Sequence, residues 1–268
     1  MILKTSTEIL KHEANRLIKK AWVTLGMPFD LLMIEEKTRG IIDVEALVVA
    51  TLLVMREDRL VTDLPAWVNR FENLINFQKL KTIFNKLSGE HKKLVRTNLD
   101  HTHFFRSTPR AFRVIFDLRA EESKSFDETV RLRTQKINTV ENVSRISLMI
   151  ENRLLYGTGF RADLITLTNV KNISMKGTDL AALLCANNST ISRILSDLKA
   201  CGFLDHDKER TEPFESYPGM FISSQSVWNL CEMMDATQFS FEDLKQGVLE
   251  NINFKNDAFC KTVSSKLS

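Results

Sequence analysis

Between its few glycines and prolines, this chain repeats apolar side chains at intervals of three and four residues, the period of a helix with one buried side. Nine Gly and five Pro in 268 residues leave too few turns for a β-sandwich, and they exclude a collagenous or low-complexity chain. The fold class expected is therefore mainly α. With 43% hydrophobic and 26% charged side chains, such a chain buries a real core without disulfide or metal staples.

The periodic segments can be placed one by one. Residues 7–24 bring Ile9, Leu10, Leu17, Ile18, Ala21 and Trp22 to one side, and Gly26-Met27-Pro28 stops the helix. Asp43 is positioned to cap a second helix over 43–56, with Leu47, Val48, Leu52, Leu53 and Met55 inward. A third starts at Asp63, with Pro65 in its first turn, and a fourth runs from Gln78 to Leu87. Phe126–Ile137 and Val140–Tyr156 read as two more amphipathic helices, the second able to pack on its own core or on a second copy of the chain. The division expected is a helical domain over 1–157, a second domain over 158–225, and C-terminal helices (227–234 and 241–251) with a polar tail over 226–268.

Several functions lose support at this level. Cys185, Cys201, Cys231 and Cys260 form no C-x-x-C pair, so reduced thiols in a cytoplasmic protein are expected. Lys4 and Glu8 interrupt any signal-peptide core, and the longest apolar run, Ala46–Met55, is about half the length needed to span a bilayer. No nucleotide-binding, zinc-protease or serine-hydrolase motif occurs, the lone Gly157-Thr158-Gly159 is a helix stop, and the chain reads as non-catalytic with no cofactor. His101 and His103 lack a third ligand at metal spacing, so no metal is expected.

The net charge of +3 conceals an uneven distribution. From Lys79 to Arg113 nine cations face two anions, a net +7, with Phe104 and Phe105 among them. Such a segment suits a phosphate backbone or unpaired bases, and it suits a solvated helix face equally well.

The most informative stretch follows Gly159. Phe160–Leu167 is a short helix, and Ile173-Ser174-Met175 a small strand or turn. Thr178 caps a helix through Leu184, Cys185-Ala186-Asn187 turns the chain, and a second helix follows from 188 to about 200, stopped by Gly202. Phe203-Leu204 and Met220-Phe221-Ile222 then read as the two strands of a hairpin around a polar loop. Small Ala181 at the helix crossing, the polar Asn187-Asn188-Ser189-Thr190 opening, Ile191-Ser192-Arg193 and the Gly202-Phe203-Leu204 exit carry a family likeness. Over about residues 160–222 the chain resembles winged helix-turn-helix transcription regulators of the MarR and ArsR type. Cys185 departs from the pattern, since that turn often holds glycine.

The resemblance implies a double-stranded DNA partner, read in the major groove by helix 188–200. Asn188, Ser189, Thr190, Ser192 and Arg193 lie off its buried face, with chemistry suited to base edges and phosphates. It also implies that Lys208 and Arg210 serve as wing cations and that the chain acts as a homodimer on paired half-sites. One feature opposes this expectation: residues 160–225 sum to −1, whereas residues 1–159 sum to +6. The alternative is a non-catalytic adaptor that uses the winged helix, or the helical domain, to hold another protein.

Overall fold

The structure is a computed structural model and describes residues 6–27, 40–54, 59–100, 109–117, 137, 139–169, 176–204 and 220–236. Among these it is mainly helical, with one small sheet. The elements run α1 (Ser6–Thr24), β1 (Ile41–Ile42), α2 (Val44–Val54), α3 (Arg59–Arg70), α4 (Phe77–Lys86), α5 (Gly89–Asp100) and α6 (Arg110–Ile115). They continue with α7 (Val140–Ile146), α8 (Leu148–Tyr156), α9 (Phe160–Asn169), α10 (Gly177–Leu184), α11 (Asn188–Ala200), β2 (Phe221–Ile222) and α12 (Ser224–Ala236).

Helix α2 is apolar apart from Glu45 and Thr51, and every one of its residues is buried. A helix with no side left for solvent must sit at the centre, and α1, α4, α5 and α12 pack against it. Trp22 and Trp67 meet edge to face at 5.1 Å, and each indole N–H is satisfied: Trp22 donates to Thr51 Oγ1 (2.8 Å) and Trp67 to the Leu25 carbonyl (2.7 Å). Asp43 caps α2 as expected, its Oδ1 accepting from the Ala46 N–H at 3.1 Å.

The sheet was misjudged from sequence. In place of a hairpin between Phe203-Leu204 and Met220–Ile222, β2 pairs in parallel with β1, Ile41 opposite Phe221 and Ile42 opposite Ile222. After Gly202 takes its left-handed φ of 68°, Phe203 folds back so that its N–H donates to the Leu198 carbonyl, and Leu204 enters the core instead of a strand. The winged arrangement is thus not what these segments form with each other. A two-residue strand carries no local mark of its partner, and the β-branched Ile41–Ile42 far upstream supplies the better match.

This small sheet divides two cores. Side chains alternate across a strand, so Ile42 and Ile222 enter the core around α2, while Ile41 and Phe221 enter a second core built from α8, α9, α10 and α11. The first core also takes Val227, Leu230 and Met233 from α12, so the end of the described chain packs on its beginning.

Other boundaries shift for local reasons. Helix α3 begins at Arg59, which places Pro65 in its interior; burial of Trp67, Val68 and Phe71 outweighs the lost backbone bond. The expected helix 140–156 is broken at Ser147, whose hydroxyl accepts from the Ile150 N–H while the next residue, Leu148, donates to the Gly40 carbonyl. Lys176, not Thr178, is the residue preceding α10. The expected elements at 126–136, 173–175 and 241–251 lie outside the described residues.

Candidate nucleic-acid interface

Helices α10 and α11 form a helix-turn-helix. The turn is closed by the Cys185 and Ala186 N–H groups, which donate to the Ala182 and Ala181 carbonyls at 3.1 and 2.9 Å. Cys185 adopts the left-handed conformation (φ 53°, ψ 40°), which costs a non-glycine residue about 1 kcal/mol. Its buried side chain packs into the α2 core, an interaction that glycine would lack.

Ile191, Ile194 and Leu198 anchor α11 inward, and the opposite side leaves Asn188, Ser189, Ser192 and Arg193 exposed, with Thr190 half-buried. Asn187 precedes the helix without a side-chain cap, and the first internal bond runs from the Ile191 N–H to the Asn187 carbonyl (3.1 Å). The N–H groups of residues 188–190 therefore face outward unpaired by the helix, at its positive end. The structure brings five of the seven expected site residues onto one helical turn and a half; Lys208 and Arg210 lie outside the described residues. An exposed ion pair, Arg161 to Asp197 at 3.0 Å, ties α11 to α9.

Elsewhere in the interior lies a cluster that the sequence pattern does not reveal. Lys79 contacts Asp43 (2.7 Å) and Asp163 (2.8 Å), and Arg153 forks onto Glu45 (2.7 and 2.8 Å) and Asp163 (2.7 and 2.9 Å) while donating to the Leu74 carbonyl (2.8 Å). All five side chains are buried, and they come from α4, α8, α9, α2 and the residue preceding α2. Glu45 also accepts from the Asn76 N–H at 2.6 Å. Three carboxylates against two cations leave one uncompensated negative charge among buried side chains.

The protonation tendencies follow from that imbalance. Burial raises the Asp43 carboxyl to about 6, and the attraction of Lys79 only partly offsets it. Burial would raise Asp163 and Glu45 too, but the Arg153 guanidinium and the Lys79 ammonium outweigh it and hold both below the usual carboxylate range. Burial would lower Lys79, yet Asp163 and Asp43 keep it firmly charged. Lys79 had been counted among the surface cations of the basic segment; it is a structural group instead.

The remaining described cations of that segment sort by position. Arg96 lies over the Phe84 ring (5.7 Å) and donates to the Phe116 carbonyl, which ties it to the α6 side. Lys86, in the last turn of α4, is exposed. Lys92 donates to the Asn85 carbonyl at 2.7 Å. His91 is buried against Ser88 (2.9 Å) and Asp235 (3.2 Å). His101, His103, Phe104 and Phe105 lie outside the described residues, and among the described residues no group of His, Cys, Asp and Glu is arranged to hold a metal.

No family model, curated protein or solved structure matches this chain. Among the described residues no helix is long and apolar enough to cross a membrane.

Proposed function

We propose that the chain is a non-catalytic DNA-binding regulator of the cytoplasm that reads the major groove with α11. The observation carrying this reading is the N-terminal half of α11: Asn188, Ser189, Ser192 and Arg193 are exposed on a helix locked from behind, beside backbone N–H groups that the helix leaves open. Asn suits adenine, Arg suits guanine, and the open N–H groups suit a phosphate. A homodimer on paired half-sites is the assembly that goes with such a reader. The test starts from a duplex selected by the protein out of a random-sequence pool. Asn188→Ala and Arg193→Ala should weaken binding to that duplex far more than to unrelated DNA; equal losses on both sink the base-reading role.

A second reading, an adaptor that holds a protein, draws on a different surface. Leu154, Leu155, Tyr156 and Phe203 are all exposed, and the Tyr156 and Phe203 rings meet edge to face at 5.9 Å. Absence of any salt-dependent complex with DNA at low ionic strength would favour it.

A further inference from the structure

Helix α8 ends on three exposed apolar residues, Leu154, Leu155 and Tyr156. The Tyr156 ring meets the exposed Phe203 ring edge to face at 5.9 Å, so the end of α8 and the exit of α11 share one patch. Its support is rigid: the preceding Arg153 is fixed in the buried ion cluster, and just beyond the patch the Thr158 hydroxyl donates to the Asn73 carbonyl. We propose that a second copy of the chain docks on this patch across a two-fold axis, so that the end of α8 and the exit of α11 form the homodimer contact. This rests on the function proposed above, whose homodimer it supplies with a surface.

Size and charge both suit a copy of the same surface. At about 200 Å² for a whole side chain of this bulk, the four residues expose roughly 400 Å² between them. That is about half of the roughly 800 Å² that each partner gives to a standard interface, in which an apolar centre sits inside a polar rim. The charges flanking the patch balance. Glu151 shares the side of α8 that carries Leu154 and Leu155, Lys199 lies in the last turn of α11, and Arg161 pairs with Asp197 between α9 and α11. A two-fold contact lays a surface on itself, so flanks of one sign would repel their own copy; two cations and two anions offer each charge an opposite.

The patch also lies at the end of α11 that leaves the proposed reader uncovered. At 1.5 Å per residue, the middle of the reading segment 188–193 stands roughly 15 Å from Ala200. Two copies joined end to end at Phe203 hold their reading segments roughly 30 Å apart plus the thickness of the contact. Half-sites one helical turn apart on DNA are separated by about 34–36 Å.

The experiment is sedimentation equilibrium of the full chain without DNA over a range of concentrations. The wild-type chain should reach a dimer. Leu155→Lys and, separately, Phe203→Ser should each raise the dimer dissociation constant on the order of tenfold or more, because central apolar anchors carry most of the energy of an interface. Leu155 is 68% exposed within one copy, so its replacement leaves the fold intact, which circular dichroism checks. Val114, on α6, is equally exposed at 68%, and Val114→Lys should leave the dimer unchanged. A chain that stays monomeric at every concentration overturns the inference and leaves the patch to the adaptor reading. Wild-type association in either patch variant, or a loss in Val114→Lys as large as that in Leu155→Lys, overturns it too. If the patch variants dissolve the dimer but the wild-type chain forms no salt-dependent complex with DNA, the contact stands and the DNA-reading role fails.

Discussion

Two polar clusters lie within a few helices of each other and differ in one respect. In the buried cluster every cation is surrounded by carboxylates from separate elements, so Lys79 and Arg153 have no capacity left for an outside partner. On the N-terminal half of α11 the polar side chains of Asn188, Ser189, Ser192 and Arg193 stand on a helix anchored through its opposite, apolar side, and among the described residues none of them meets a partner. Internal satisfaction marks a structural device; the recognition surface proposed for α11 requires its absence on a rigid support. The clusters are also complementary in purpose, since the buried one fastens α9, and with it the helix-turn-helix core, to α2 and α4.

The comparison is tested most severely at Arg153. Arg153→Met leaves Glu45 and Asp163 facing each other without their shared cation, and a half-broken buried pair costs about 3–5 kcal/mol. Urea unfolding should show that loss. Lys79→Met should cost less, about 2–3 kcal/mol, because Asp43 can take up a proton once its partner is gone and so shed the unpaired charge. If either substitution leaves stability unchanged but removes DNA binding, the cluster is not the structural device described.

A pH prediction follows from the same imbalance. Asp43, raised to about 6, binds its proton more tightly folded than unfolded. Its contribution is thus complete below the unfolded value near 4 and fades as pH rises through 6. Asp163 and Glu45, held low, act in the opposite sense: their contribution is present above about 4 and is lost on further acidification. Stability should rise from pH 7 toward 5 and then fall below 4. Asp43→Asn should flatten the upper limb, whose slope is at most about 1.4 kcal/mol per pH unit, and leave the acid limb in place.

The legibility of the two clusters differs for a physical reason. The polar face of α11 could be read because apolar periodicity within a single helix assigns each residue a side. The same helix gave its Gly202 stop and its turn, which is why 188–200 was placed almost to the residue. The buried cluster joins residues 43, 45, 79, 153 and 163, and no local rule pairs residues so far apart. A weaker signal was present: Lys79 shares a helix side with Ile83, Arg153 with Met149 and Ile150, and Asp163 with Leu167, so each charge occupies an apolar register. Two misplaced cations and one misplaced anion call for one another and for further buried carboxylates, which Asp43 and Glu45 supply. The β1–β2 pairing was illegible for the same reason of distance, and the wing was inferred from neighbours in sequence that are not partners in the sheet.

On the exposed cluster the expected pattern reverses. Asn188→Ala and Arg193→Ala should shift the unfolding free energy by no more than about 0.5 kcal/mol, because neither side chain is buried. Each should lower discrimination between selected and scrambled duplexes by about 1–3 kcal/mol. A stability loss of the size expected at Arg153 would mean that α11 is held by its outer face, and the contrast between the clusters would collapse.

The smallest effect belongs to the pair that spans both regimes. Arg161 and Asp197 are ion-paired like the buried groups but exposed like α11, and water screens them. A double-mutant cycle with Arg161→Ala and Asp197→Ala should give a coupling of about 0.2–1 kcal/mol that shrinks as salt is added. A coupling well above 1 kcal/mol would show that a surface contact, and not the Ile191–Ile194–Leu198 face, sets the angle at which α11 stands. Affinity for the selected duplex would then fall in step with the coupling lost, whereas a helix fixed by its core keeps its angle when the pair is removed and loses only the charge of Arg161.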